Sequence, residues 1–334
     1  MMLTVCSVVF SISLGKVCFA GRPERIEIKS VLPRDAIPAI KSPEFVPASG
    51  AGLDRDEPVI GVSVNGESHA YSVYLLNNHE IVNDTIGGNA FAVAWCPLAN
   101  LAVVYSREID DKVYTFGVSG KLLKNTLVMF DYETGSLWPI VYGSALDGKL
   151  SGNKLKILMS QKMPWGAWKE LHPNTLVLSY RGQRTVGFDT YNAYHKSEKT
   201  GILPVKNVDE RLRAKMNVIG IEVNGRYKAY PFSIFDNKKI ITDDFQGQHL
   251  LIYRDKETNS IMVYNRQING HVIDFEESPT QGVATDNVTK TAWDLENGIG
   301  IEGSMKGKLL QRGNFISVYW FVLADYYPET DIYP

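Results

Sequence analysis

The sequence predicts a mainly β (α+β) protein, built as two tandem copies of one strand-rich unit with a few short helices. Three observations predict it. Short apolar runs are broken repeatedly by Asn-Gly, Gly-Gly and Pro, the punctuation of hairpins. Residues 59–85 (VIGVSVNGESHAYSVYLLNNHEIVNDT) match residues 218–244 (VIGIEVNGRYKAYPFSIFDNKKIITDD) at 11 of 27 positions, and self-similarity at a fixed offset marks a repeated unit. The composition, 44% hydrophobic and 22% charged over 334 residues, is that of a folded chain long enough for two domains.

The elements follow in order. Residues 1–20 are apolar, broken by Ser7, Ser11, Ser13 and Lys16, and end at the small-residue step Ala20-Gly21. They read as a secretory signal peptide, so the protein is expected to be exported, periplasmic or extracellular in a bacterium. No later segment reaches about 18 consecutive apolar residues, so no transmembrane span is expected in the mature chain. Cleavage removes Cys6 and Cys18 and leaves Cys96 alone, which rules out an internal disulfide. Residues 21–57, rich in proline and charge, form an extended N-terminal arm. Residues 58–180 form the first β-rich repeat, 181–216 a linker, and 217–334 the second repeat, expected to serve as scaffold. Within each repeat an Asn-Gly hairpin (Asn65-Gly66, Asn224-Gly225) opens the unit. A short helix is expected over Trp165–Leu171, ended by Pro173.

Charge narrows the partners. Lys+Arg 35 against Asp+Glu 37 gives a net −2 with no basic run, so nucleic acid is not an expected partner. A small ligand or a metal remains open, and oligomeric state is not fixed. Glycine-rich phosphate loops in the required context and a Cys-x-x-Cys-His haem motif are absent. Ser119 lies in Gly117-Val118-Ser119-Gly120-Lys121 and misses the hydrolase elbow at its fifth position.

The segments HEIVNDTIGG (79–88), AWCPLAN (94–100), FGVSG (116–120), LVMFDYETGSLW (127–138) and WKELHPNTLVLS (168–179) resemble the bacterial family catalogued as domain of unknown function 3179. The resemblance runs over residues 58–334, to the closing WFVLADYYPETDIY (320–333). Family members carry Cys-Pro-x-Cys followed by Gly-Thr, and the resemblance implies a dithiol–disulfide role. Here the corresponding residues are Cys96-Pro97-Leu98-Ala99-Asn100-Leu101. With Ala99 in place of the second cysteine, that cycle cannot run within this chain.

The residues themselves point to Cys96. If Gly87-Gly88 form a two-residue turn, His79 lies opposite Cys96 on the returning strand, with Cβ atoms about 5 Å apart. The same register in the second copy sets Lys238 opposite Asp255. An imidazole beside a thiol favours the nucleophilic thiolate, and Glu80 is the carboxylate of interest because its counterpart is Lys239; the catalytic candidates are Cys96, His79 and Glu80. Cys96, His79 and Met129 form an alternative soft-metal set for copper or zinc. Asp84 and Asp131 recur as Asp243 and Asp286, which points to turn-capping roles. Trp138 recurs as Trp293 and is expected in the core; Trp165 and Trp168 suit the core or a stacked ligand. Two functions stay open: soft-metal binding or single-thiol chemistry at a Cys/His pocket, and a non-enzymatic envelope binding or interaction protein in which Cys96 only packs.

Overall fold

A computed structural model of the chain describes residues 27–179 and 188–334. The expected signal peptide, residues 1–20, and residues 181–187 of the expected linker lie outside the described residues. Among the described residues the chain is strand-rich, with four short α-helices, none of them long and apolar enough to cross a membrane.

Prolines keep the arm extended, and it contributes two edge strands, β1 (Lys29–Ser30) and β2 (Glu44–Pro47). The hairpin β3 (Pro58–Val64) and β4 (Glu67–Ser72) turns at Asn65 and Gly66, with φ 52° and 87°. Both values are left-handed, which is what a two-residue hairpin of this hand requires. The Ser72 hydroxyl accepts from the Leu75 N–H and starts α1 (Val73–Leu76). Next come β5 (Ile81–Ile86) and β6 (Asn89–Cys96), turned at Gly87 and Gly88. Their register, Ile86 against Asn89 through Ile81 against Ala94, is the one read from the glycine pair. β7 (Leu101–Ser106) returns against β6, setting Leu101 beside Cys96.

A small hairpin, β8 (Glu108–Ile109) and β9 (Lys112–Val113), leads to β10 (Phe116–Leu123), β11 (Thr126–Asp131) and β12 (Leu137–Pro139). Then follow β13 (Ile157–Leu158), β14 (Gln161–Pro164), α2 (Trp165–Leu171) and β15 (Leu176–Ser179). α2 has the expected bounds. These strands make three sheets, ordered β1-β10-β11-β12, β13-β7-β6-β5 and β14-β3-β4-β15-β2.

After α3 (Asn192–Lys196), the second half runs through β16 (Asn217–Val223), β17 (Arg226–Pro231), β18 (Ile240–Phe245), β19 (Gln248–Arg254) and β20 (Ile261–Asn265). A small hairpin, β21 (Gln267–Ile268) and β22 (His271–Val272), precedes β23 (Phe275–Glu277), β24 (Val283–Asp286), β25 (Ala292–Asp294) and β26 (Ile299–Glu302). β27 (Gln311–Arg312), β28 (Ile316–Tyr319), α4 (Trp320–Tyr326) and β29 (Asp331–Ile332) close the chain. In each half the opening hairpin has one antiparallel and one parallel neighbour: β14 and β15 around β3-β4, β28 and β29 around β16-β17.

Buried polar contacts correspond too. Tyr71 donates to Asp84 and Tyr230 to Asp243, while the indole N–H groups of Trp138 and Trp293 donate to Asp131 and Asp286, both at 3.0 Å. The largest apolar cluster crosses between the halves, joining Cys96, Leu101, Phe116 and Trp138 to Val218, Val318 and Trp320. Burial of this surface, at about 25 cal/mol per Å² of apolar area, holds the halves together.

Candidate functional site

Cys96 ends β6 and is 1% exposed. The turn that follows, Pro97 to Asn100, is gripped from four directions. The Leu98 carbonyl accepts from the Tyr194 hydroxyl at 2.7 Å, the Ala99 carbonyl from the Tyr319 N–H at 3.1 Å, and the Asn100 carbonyl from the Lys162 ammonium at 3.1 Å. The Asn100 side chain bonds Lys162 and Asn217 as well, so both halves fix it. Lys162 also lies 4.9 Å over the Trp95 ring, and burial pushes its amine down to about 7.

The thiol donates weakly to the Asn125 carbonyl at 3.9 Å. Burial, and then the charge of Glu80, push it up to about 12, although the backbone N–H groups of Ala99, Leu127 and Leu98 favour charge on the sulfur. In this state Cys96 is a neutral thiol, not a nucleophile poised for reaction at neutral pH.

Glu80 is the unusual residue of the site. It is 8% exposed, and among the described residues its carboxyl has no hydrogen bond or ion pair. Burial alone pushes it up to about 8. Its φ of 55° is left-handed, a conformation disfavoured for a residue with a Cβ. That kink ends the strand alternation: the Glu80 carbonyl still accepts from the Trp95 N–H at 2.8 Å, but β5 begins only at Ile81. At the corresponding place in the second half the backbone is not left-handed. The Lys239 carbonyl accepts from Arg254 N–H at 2.8 Å, and the Lys239 ammonium pairs with Asp255 at 2.9 Å. The register pairs Ile240 with Tyr253 as expected, yet Lys239, not Lys238, makes the ion pair with Asp255. Position for position, Glu80 stands where Lys239 does and Cys96 where Asp255 does.

The other sequence candidates take different places. His79 is buried and its Nδ1 is bonded to the Pro38 carbonyl at 2.7 Å, which ties it to the arm. Met129 is buried on β11 between Val118 and Trp138, within the same apolar cluster as Cys96. Among the described residues no group of three or more His, Cys, Asp and Glu side chains is placed to hold a metal ion, so Cys96, His79 and Glu80 do not form a three-donor cluster. Asp131 caps the turn after β11 through Thr134, as its recurrence implied. Asp84 accepts from Tyr71 and pairs with His69, while Asp243 pairs with Lys228. Ser119 donates to the Val128 carbonyl inside a β-bulge. Trp138, Trp165 and Trp168 are buried in the core.

The described part of the expected linker, residues 188–216, supplies residues that sequence reasoning missed. It crosses the site as a strap. Asp189 accepts from Asn77 at 2.9 Å, and Tyr194 reaches Leu98. The N–H groups of Ile202 and Leu203 donate to the Asn125 side chain at 2.8 and 2.7 Å. Asn125 therefore receives the strap on its side chain and the thiol on its carbonyl. Gly201 makes this approach possible: φ is 71°, and a Cβ there would lie 2.2 Å from the Asn125 side chain. Burial first, then the charges of Glu80 and Cys96, push the Tyr191 hydroxyl up to about 12. The only sequence hint was the tyrosines themselves, Tyr191 and Tyr194, in an otherwise polar stretch.

A family model described as "Protein of unknown function (DUF3179)" matches residues 34–330. No curated protein and no solved structure matches the chain.

Proposed function

Because the chain belongs to the DUF3179 family, whose description assigns no activity, we propose a function from the site alone: a binding protein that receives a small ligand or metal at the Cys96–Glu80 pair beneath the strap. One observation carries this reading. Glu80 is a buried acid, without a partner among the described residues, held in a left-handed conformation at the position where the second half has an ion-paired lysine. A left-handed backbone and a desolvated acid at one residue oppose stability, and such departures concentrate where function requires them. The resting thiol, pushed up to about 12, is not poised for nucleophilic turnover. The second half then serves as the scaffold that clamps the Cys96 turn through Tyr319 and Asn217. We infer from residues 1–20 that this takes place outside the cytoplasm.

Denaturant unfolding of Glu80→Leu tests the reading. A residue kept against stability gives a variant more stable than the parent; a less stable variant would assign Glu80 a structural role. The second reading, a scaffold in which Cys96 only packs, draws on the position of Cys96 in the largest apolar cluster. It predicts that Cys96→Ala lowers stability and removes no binding.

A further inference from the structure

We propose that a cavity on the seam between the two halves binds one small organic carboxylate, with the Lys162 ammonium as its counterion. This site is separate from the Cys96–Glu80 pair and does not rest on it. The cavity measures about 50 Å³ and is lined by β7 and residues 157–162 from the first half, and by Asn259, Ile261 and residues 313–315 and 317 from the second. At about 10–15 Å³ for each water-sized group, it has room for about three to five of them, the size of acetate or propionate.

Lys162 is half-buried in the wall and is the only charged residue there among the described residues. Its ammonium donates to the Asn100 carbonyl at 3.1 Å and to the Asn100 side-chain oxygen at 2.6 Å, and it lies 4.9 Å from the centre of the Trp95 ring. Both acceptors are neutral, and they leave the third N–H of the ammonium for a ligand. No acid pairs with Lys162 among the described residues, so the charge lacks the partner that a desolvated cation requires. The fold does not demand a cation at this place. β14 sets Lys162 opposite Ile60, and β28 sets Ser317 opposite Ile219. Ile60 and Ile219 in turn face Tyr71 and Tyr230 in the two opening hairpins. Ser317 therefore holds the matching position in the second half, and it lines the same cavity.

The remaining lining selects the shape of the anion. Val104, Leu158, Ile261 and Phe315 offer carbon, while Asn314 and Ser317 add neutral polar groups. Phosphate, polar on every side, would press oxygens against that carbon; a carboxylate with a short alkyl tail matches both surfaces.

The test titrates the full chain with acetate and with acetamide, its uncharged isostere, following the ligand resonances by NMR. We expect saturable binding of acetate and at least tenfold weaker binding of acetamide. Lys162→Met, checked for native circular dichroism, loses at least tenfold in acetate affinity. Ala102→Leu, which fills the cavity and keeps the lysine, loses as much. Acetate that fails to saturate, acetamide bound equally well, or a folded Lys162→Met or Ala102→Leu chain that keeps the parent affinity overturns the proposal. Inorganic phosphate binding as tightly as acetate overturns the carboxylate class.

Discussion

Replacing Glu80 by Gln separates the cost of its charge from that of its shape. The carboxyl releases its proton near 4.5 in the unfolded chain and near 8 in the folded one. Between those pH values the folded chain holds the extra proton, so raising the pH drains stability. The Glu80 contribution is intact below pH 4.5, falls steadily through pH 7 and levels off above pH 8. At pH 7 the displacement corresponds to about 3 kcal/mol against folding. Gln is neutral throughout and nearly the same size as the protonated acid. Urea unfolding of the Glu80→Gln chain between pH 4.5 and pH 8.5 should therefore show little difference from the parent at the acid end. The variant should gain progressively, by about 3 kcal/mol near neutrality. A difference that does not change with pH, or a variant less stable at every pH, would refute the assignment of Glu80 as a buried acid lacking a partner.

Three further outcomes follow. With Cys6 and Cys18 replaced by serine, the Cys96 thiol pushed from 9.0 up to about 12 carries roughly a thousandfold less thiolate at pH 8 than when unfolded, so alkylation should be slower by at least that factor in the folded chain. Equal rates in native buffer and in denaturant would contradict the sealed site. His69→Lys should keep stability, because Lys228 already serves Asp243 in the second half, whereas His69→Ala should lose about 1–3 kcal/mol by stranding the buried Asp84; denaturant titration distinguishes them. Gly201→Ala forces a Cβ into the Asn125 side chain at a left-handed φ, so the strap should loosen, with stability down by roughly 1–3 kcal/mol and thiol labelling faster. Unchanged labelling would free the strap from any part in covering Cys96.

Much of the fold was legible because it rests on local rules. Asn65-Gly66, Asn224-Gly225 and Gly87-Gly88 supply the left-handed residues that two-residue hairpins need, and the last pair sets the β5–β6 register correctly. The repeated Asp131/Asp286 and Trp138/Trp293 pairs carried their capping role in the spacing. The site was legible in part. Cys96 stood out as the one cysteine left after the leader, Glu80 because it matches a lysine in the other copy, and strand alternation set His79 opposite Cys96. Alternation holds only while the backbone stays extended; the left-handed Glu80 breaks it, and no periodicity announces that kink. The strap was read as a linker because its contacts, Tyr194 to Leu98 and Leu203 to Asn125, join segments far apart in sequence and depend on the packed halves.

The central claim is that Glu80 is a buried, proton-loaded acid beside the Cys96 thiol, and its own titration tests this most directly. The side-chain carboxyl 13C resonance, assigned by its loss in Glu80→Gln, should titrate with a midpoint near 8 in the ligand-free chain. A midpoint near 4.5, the value in the unfolded chain, would contradict the account.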